Sequence, residues 1–174
     1  KPLGCYGDGG AIFTDDADLA GIVRSLRVHG QGNDKYDNVR VGMNSRLDTV
    51  QAAVLIEKLR IFADEIATRD RLAKRYNERL AETAIVPIVP EGLTSVWAQY
   101  TLRLPDFDRD SFIATLKAEG VPTAIYYPAP LHRQAAYAGF PIAEGGLPVA
   151  ERLAEEVVSL PMHPYLKEAV QDRI

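Results

Sequence analysis

An α/β fold in two lobes is the prediction, and three observations carry it. One apolar repeat at helical spacing runs uninterrupted by Gly or Pro from Leu47 to Thr83, one long helix or two with a bend. A glycine-dense segment and a short helix precede it. After Pro87 and Pro90 the composition switches to strand formers alternating with short helical patterns. The boundary is expected within the long helix, with residues 1–62 forming the end of one domain. Residues 63–174, including the linking helix, form a smaller one.

The chain opens on Lys1-Pro2-Leu3-Gly4, and four glycines fall between Gly4 and Gly10. Glycines at this density let a backbone turn tightly or approach a neighbour closely. The apolar run Ala11-Ile12-Phe13 reads as a short strand. Thr14-Asp15-Asp16 can cap a helix and places acidic charge at its positive end. Leu19, Ile22, Val23 and Leu26 recur at helical spacing, and His29-Gly30 ends the helix. Residues 30–42 are polar and aperiodic, a loop long enough to carry function.

Ser45-Arg46-Leu47-Asp48 resembles a capping box that starts the long helix at Ser45. The apolar stretch Ala52–Ile56 predicts burial on several sides, as at a domain or subunit contact. From Asp64 onward the helix is charged and reads as a solvated link. Beyond it, Val96–Leu104 and Val121–Tyr127 are the expected strands. A helix capped by Asp108 or Asp110 and ended by Gly120 lies between them. A helix from Pro148 to Val158, a short strand over Ser159–Met162 and a last helix from Tyr165 complete the lobe.

The bulk properties exclude several function classes. Hydrophobic residues make up 47 % and charged residues 25 % of 174, ordinary for a soluble domain. A net charge of -4 gives no reason to expect nucleic acid or an anionic membrane as partner. The single cysteine rules out an internal disulfide framework and fits a reducing, cytoplasmic compartment. No apolar run reaches the length of a membrane helix, and no signal-peptide pattern is present. The first residue is not Met, so a longer parent protein is expected.

Candidate chemistry gathers where loops meet regular elements. His29 reads equally as a helix-terminal residue favoured by the dipole and as a loop ligand. Asn44 and Ser45 read as caps or as ligands. One of Tyr126 and Tyr127 is expected in the core, and His132 lies in a Pro-rich loop. The three histidines are far apart and no cysteine pair exists, so no metal site is expected. Cys5 has no evident base partner and reads as a packing residue. The glycine cluster matches neither the P-loop nor the dinucleotide fingerprint.

Four motifs in order do carry a resemblance. Lys1-Pro2-Leu3-Gly4 with Gly7-Asp8-Gly9-Gly10-Ala11 resembles the segment around the cofactor lysine of the DegT/DnrJ/StrS sugar aminotransferases. Leu26-Arg27-x-His29-Gly30 and Gly42-x-Asn44-Ser45-Arg46-Leu47-Asp48-x-x-Gln51-Ala52-Ala53 follow, then Tyr127-Pro128-x-Pro130-Leu131-His132-x-Gln134. The resemblance implies a fold-type I (aspartate aminotransferase-like) transferase using pyridoxal 5'-phosphate. This chain would hold the end of its large domain and its small C-terminal α/β domain.

By resemblance Lys1 is the catalytic lysine and covalent anchor of the cofactor, and Asn44 donates its amide to the cofactor phosphate of the neighbouring subunit. Arg46, on the same turn, is a cofactor-binding candidate whose planar fork suits a phosphate or a carboxylate. His29, Tyr126, Tyr127 and His132 line the sugar pocket. Many relatives carry His where this chain has Tyr126, so that position is expected to contact substrate without acid–base work. The implied reaction is amination of a nucleotide-linked keto sugar, UDP-3-keto-N-acetylglucosaminuronic acid, with glutamate as donor, in surface polysaccharide biosynthesis (O-antigen). A homodimer with shared active sites is implied too. The acidic partner of the pyridine nitrogen, the ring-stacking residue and most phosphate ligands would precede Lys1. Two alternatives stand beside this reading. One is a sugar dehydratase of the same family, whose members carry His in place of the lysine. The other is a non-catalytic dimerisation or binding module.

Overall fold

The computed structural model describes residues 1–174. They form two compact units, one of Lys1 with Leu3–Phe62, the other of Pro2 with Ala63–Ile174. No helix is long and apolar enough to cross a membrane.

In the first unit, helix α1 spans Ala17–Leu26. Asp16 caps it, its carboxylate accepting from the N–H groups of Asp18 and Leu19 at 2.9 and 3.0 Å. The expected strand over Ala11–Phe13 does not form. Ile12 and Phe13 are exposed, because no other segment of the chain pairs with them. The loop after α1 closes on itself. Gly30 accepts from the N–H groups of Val39 and Arg40, and Met43 N–H reaches back to the Leu26 carbonyl at 2.9 Å.

Helix α2, Thr49–Leu80, is one unbroken element of 32 residues. It begins three residues later than the capping-box reading, with Ser45 as cap, places it. Ser45 N–H donates to the Arg27 carbonyl at 2.9 Å, which ties Ser45 into the loop and leaves the Asp48 carbonyl to take the first helical bond, from Ala52. No residue of the stretch expected to be buried on several sides, Ala52–Ile56, is buried within this chain: Ala53 and Ile56 are exposed and Ala52, Val54 and Leu55 are half-buried. The solvated-link reading of its second half is also corrected. Glu65 and Arg69 are only 6 % and 7 % exposed, alongside Leu72, Ala73 and Tyr76.

The second unit packs α2 from Ala63 onward against a small antiparallel sheet. Strand β1, Tyr100–Arg103, pairs with β2, Val157–Leu160, in the register Tyr100 to Leu160. Single bridges extend the ladder on both sides, Ile85 to Arg103 and Ala124 to Ser159. The predicted strands Val96–Leu104 and Val121–Tyr127 are thus shorter than expected. Trp97 sits at φ 48, a left-handed backbone that ends the extended run, and its Nε1 donates to Asp70 Oδ1 at 3.2 Å. The Lys74 ammonium and this indole hold the Asp70 carboxyl below the usual range. The Val121–Tyr127 segment contributes only the Ala124 bridge.

Helix α3, Arg109–Ala118, starts at the Asp108 cap and ends before Gly120 at φ 76. Helix α4 spans Pro148–Glu156, ending two residues before the predicted Val158, and β2 takes over at Val157. Helix α5, Glu168–Gln171, is shorter than expected and docks on α2. Gln171 Nε2 donates to the Leu72 carbonyl at 2.8 Å, and Arg75 and Arg79 both meet Asp172 Oδ1. The core centres on stacked Tyr76 and Tyr100, ring centroids 4.7 Å apart. Tyr76 hydroxyl donates to the Pro161 carbonyl at 3.1 Å and Tyr100 hydroxyl to Asn77 Oδ1 at 2.6 Å, so neither phenol is buried unpaired.

Candidate active site

The glycine segment lies on the first turns of α2. Gly4 has φ 78, and a Cβ there would meet the Lys58 Cε at 2.9 Å, so the Lys58 stem passes directly under it. Cys5 Sγ donates to Gln51 Oε1 at 3.4 Å, and a Cβ on Gly9 would strike that sulfur at 2.8 Å. The predicted packing role of Cys5 holds. Pro2 and Leu3 form the turn that follows Lys1, whose side chain is exposed.

His29 and Asn44 are brought together by backbone. Val28 and Asn44 form an antiparallel bridge, and His29 N–H donates to the Met43 carbonyl at 3.0 Å. His29 sits at φ 60, an uncommon conformation for a non-glycine residue. Two glycines hold this geometry. A Cβ on Gly30 would stand 1.8 Å from the Arg40 carbonyl oxygen, and one on Gly42 would stand 2.1 Å from Gly30 N. The His29, Asn44 and Arg46 side chains are exposed, the last two just ahead of the α2 N-terminus. There the first-turn N–H groups lack helical acceptors and favour an anion. An amide, a guanidinium and a helix N-terminus in one segment are donors suited to a phosphate, and the Lys1 amine in the other is a group suited to an aldehyde.

A separate cavity of about 330 Å³ opens in this unit between α1 and the loop, lined by Arg24, Ser25, Val28, Gln31, Asn33 and Arg40 among others. Lys1, His29 and Asn44 do not line it.

Tyr126, Tyr127 and His132 belong to the second unit. The expectation that one tyrosine is core is corrected. They are 41 % and 61 % exposed, since the segment leaves the ladder after its single bridge at Ala124. Their peptide bond is cis and their rings meet edge to face, centroids 5.6 Å apart. His132 lies in a 3-10 turn, Leu131–Arg133, and its side chain is only 12 % exposed. Its Nε2 is 2.8 Å from Glu151 Oε1 in the first turn of α4, and Arg133 donates to the same oxygen. Those two partners, His132 before Arg133, hold the Glu151 carboxyl below the usual carboxylate range. Glu151 was not among the sequence candidates, and nothing local in the sequence ties it to a histidine nineteen residues earlier.

The sequence profile described as the DegT/DnrJ/EryC1/StrS aminotransferase family matches residues 1–174. The UDP-2-acetamido-2-deoxy-3-oxo-D-glucuronate aminotransferase of Pseudomonas aeruginosa is 51 % identical over 170 residues, 97 % of this chain and 46 % of that protein. A crystal structure of a DegT DnrJ EryC1 StrS aminotransferase from Brucella abortus superposes with a TM-score of 0.94 at 58 % identity, covering 99 % of this chain and 46 % of that one. DesV of S. venezuelae superposes with a TM-score of 0.90 at 40 % identity, over 99 % and 46 %. The chain therefore spans about half the length of the relatives it matches. Its architecture is that of part of a fold-type I aminotransferase.

Proposed function

This chain belongs to the DegT/DnrJ/EryC1/StrS aminotransferase family, and from that premise we propose that its parent protein transfers an amino group to a nucleotide-linked keto sugar with Lys1 as the catalytic lysine. Residues 1–62 are then the end of the large cofactor domain, and 63–174 the small domain with its linking helix. The observation that carries the reading is the lysine itself. It opens a glycine segment laid on the start of α2, in a chain matched by the family over its whole length.

Pyridoxal 5'-phosphate supplies the electron sink when bound. Lys1 would hold it through Nζ, and the same amine, when free, would carry the proton to and from the substrate carbon that bears nitrogen. Asn44 and Arg46 hold the phosphate at the α2 N-terminus. His29, Tyr126, Tyr127 and His132 orient the sugar. Since His132 Nε2 is engaged by Glu151, only its Nδ1 is left for substrate.

The name of the P. aeruginosa relative supports a UDP-linked 3-oxo-glucuronate as acceptor. Glutamate as donor, a cytoplasmic homodimer with sites shared between subunits, and a place in surface polysaccharide biosynthesis complete the proposal. The exposed apolar residues Val50, Ile56 and Leu59 of α2 support a subunit contact. Borohydride reduction of the full-length protein with cofactor, followed by peptide mapping, tests the assignment. A pyridoxyl group on Lys1 is expected, and its absence there removes the aminotransferase reading.

A further inference from the structure

We propose that Arg69, on α2, is a positioning residue for Lys1, acting through the carbonyl of Pro2. The proposal rests on the reading of Lys1 as the cofactor anchor. The Arg69 guanidinium is buried, and its Nη2 donates to the Pro2 carbonyl at 3.3 Å across 67 positions of sequence. The same nitrogen lies 3.5 Å from Glu65 Oε2, one helical turn back. Glu65 Oε1 in turn accepts from the Tyr165 hydroxyl at 2.6 Å, which raises the Tyr165 phenol above its ordinary value. Arg69 is thus clamped from behind and pointed at one backbone oxygen.

That oxygen is well chosen. The Pro2 ring fixes its own φ, and a residue before proline is confined to extended ψ, so Lys1 is already restricted from that side. The remaining soft torsion next to the lysine is Pro2 ψ, which sets where the Pro2 carbonyl points. A hydrogen bond from a buried guanidinium to that carbonyl fixes it. A buried ion pair is weak ground for stability, since apolar replacements often serve as well. What an apolar side chain cannot do is hold a carbonyl. That difference separates positioning from packing.

The test uses the full-length protein with Arg69→Met, Arg69→Lys and Tyr165→Phe. In the cofactor-free form, hydrogen exchange at the Pro2–Leu3 peptide is expected to quicken by roughly 10-fold in R69M, with the α2 and sheet amides unchanged. In the loaded form, kcat falls by roughly 10-fold while KM for the amino donor stays within about 2-fold. R69K, which keeps a donor and the charge, recovers most of both. Y165F substitutes an exposed side chain without opening the core. It is expected to move the same readouts by about 2-fold and replaces R69M if that variant does not fold. Exchange that is unchanged at Leu3, or that rises evenly across the whole unit, overturns the proposal, as does a lysine variant no better than methionine. Borohydride mapping on the wild type separates the two ideas. Label on Lys1 with unaltered exchange in the variants sinks only the role of Arg69. Label elsewhere sinks the anchor, and the role of Arg69 with it.

Discussion

His132 Nε2 and Glu151 Oε1 stand 2.8 Å apart, joining the Pro-rich loop to the first turn of α4. The imidazole is thereby held in one orientation, and one of its two nitrogens is spent. Arg133 shares the same carboxylate oxygen, so Glu151 organises two neighbouring side chains at once.

Glu151 is therefore expected to make the fold sensitive to acid. Its carboxyl is held low in the folded state, so its contribution is present above the ordinary value of 4.5 and lost as the pH falls through the lowered folded value. Glu151→Gln should flatten the fall of Tm on acidification below pH 4.5, measured from pH 7 to pH 3 against the wild type. An identical profile in the variant would show that the contact carries no linkage.

The second unit should also lose stability in alkali, through Tyr76. Burial pushes this phenol up to about 12, from 10. The unfolded chain gives up its proton first, so stability is complete below pH 10 and declines from there to pH 12. Tyr76→Phe removes the hydrogen bond to the Pro161 carbonyl and should cost about 1 kcal/mol at pH 8. Its Tm should then fall less steeply than that of the wild type between pH 10 and 12, followed by circular dichroism.

Much of this organisation was legible because its causes are local. Asp16 and Asp108 cap their helices with their own side chains, and the period of α2 is unbroken for 32 residues. The strands were overdrawn because a strand exists only where a partner pairs with it. Tyr100 meets Leu160, sixty positions away, and Ala124 meets Ser159 at a single bridge. The site divides the same way. Lys1, Asn44 and His29 stand in recognisable segments, and the Val28 bridge to Asn44 joins two of them. From Asp64 onward α2 reads as a solvated link because it is heavily charged, and Glu65 and Arg69 share that composition. What turns them inward are partners far away in sequence, the Tyr165 hydroxyl on Glu65 and the Pro2 carbonyl on Arg69.

Glycine substitutions should separate conformational need from mere flexibility. Gly30→Ala places a methyl against the Arg40 carbonyl at a φ of 74 and is expected to cost about 3–5 kcal/mol. Gly21→Ala, inside α1 with nothing within 4 Å, should instead stabilise by about 0.5–1 kcal/mol. Urea unfolding of both variants checks the pair. A mild effect at Gly30 would mean that Gly30 and the Arg40 carbonyl can move apart without loss.

Asn44 offers the cleanest probe of the phosphate site, because its structural and ligand roles are on different atoms. Its backbone forms the bridge to Val28, and alanine keeps that backbone. Its side chain is exposed, so removing the amide should change stability by no more than about 0.5 kcal/mol. A hydrogen bond from that amide to a phosphate is to a charged partner and is worth about 1.5–3 kcal/mol. Asn44→Ala in the full-length protein should therefore weaken pyridoxal 5'-phosphate by roughly 10- to 100-fold at an unchanged Tm. Titration of the cofactor-free variant, followed by absorbance, measures this. If Tm and affinity fall together, the bridge and not the amide is what matters. If neither changes, the phosphate lies elsewhere and Arg46 becomes the residue to test.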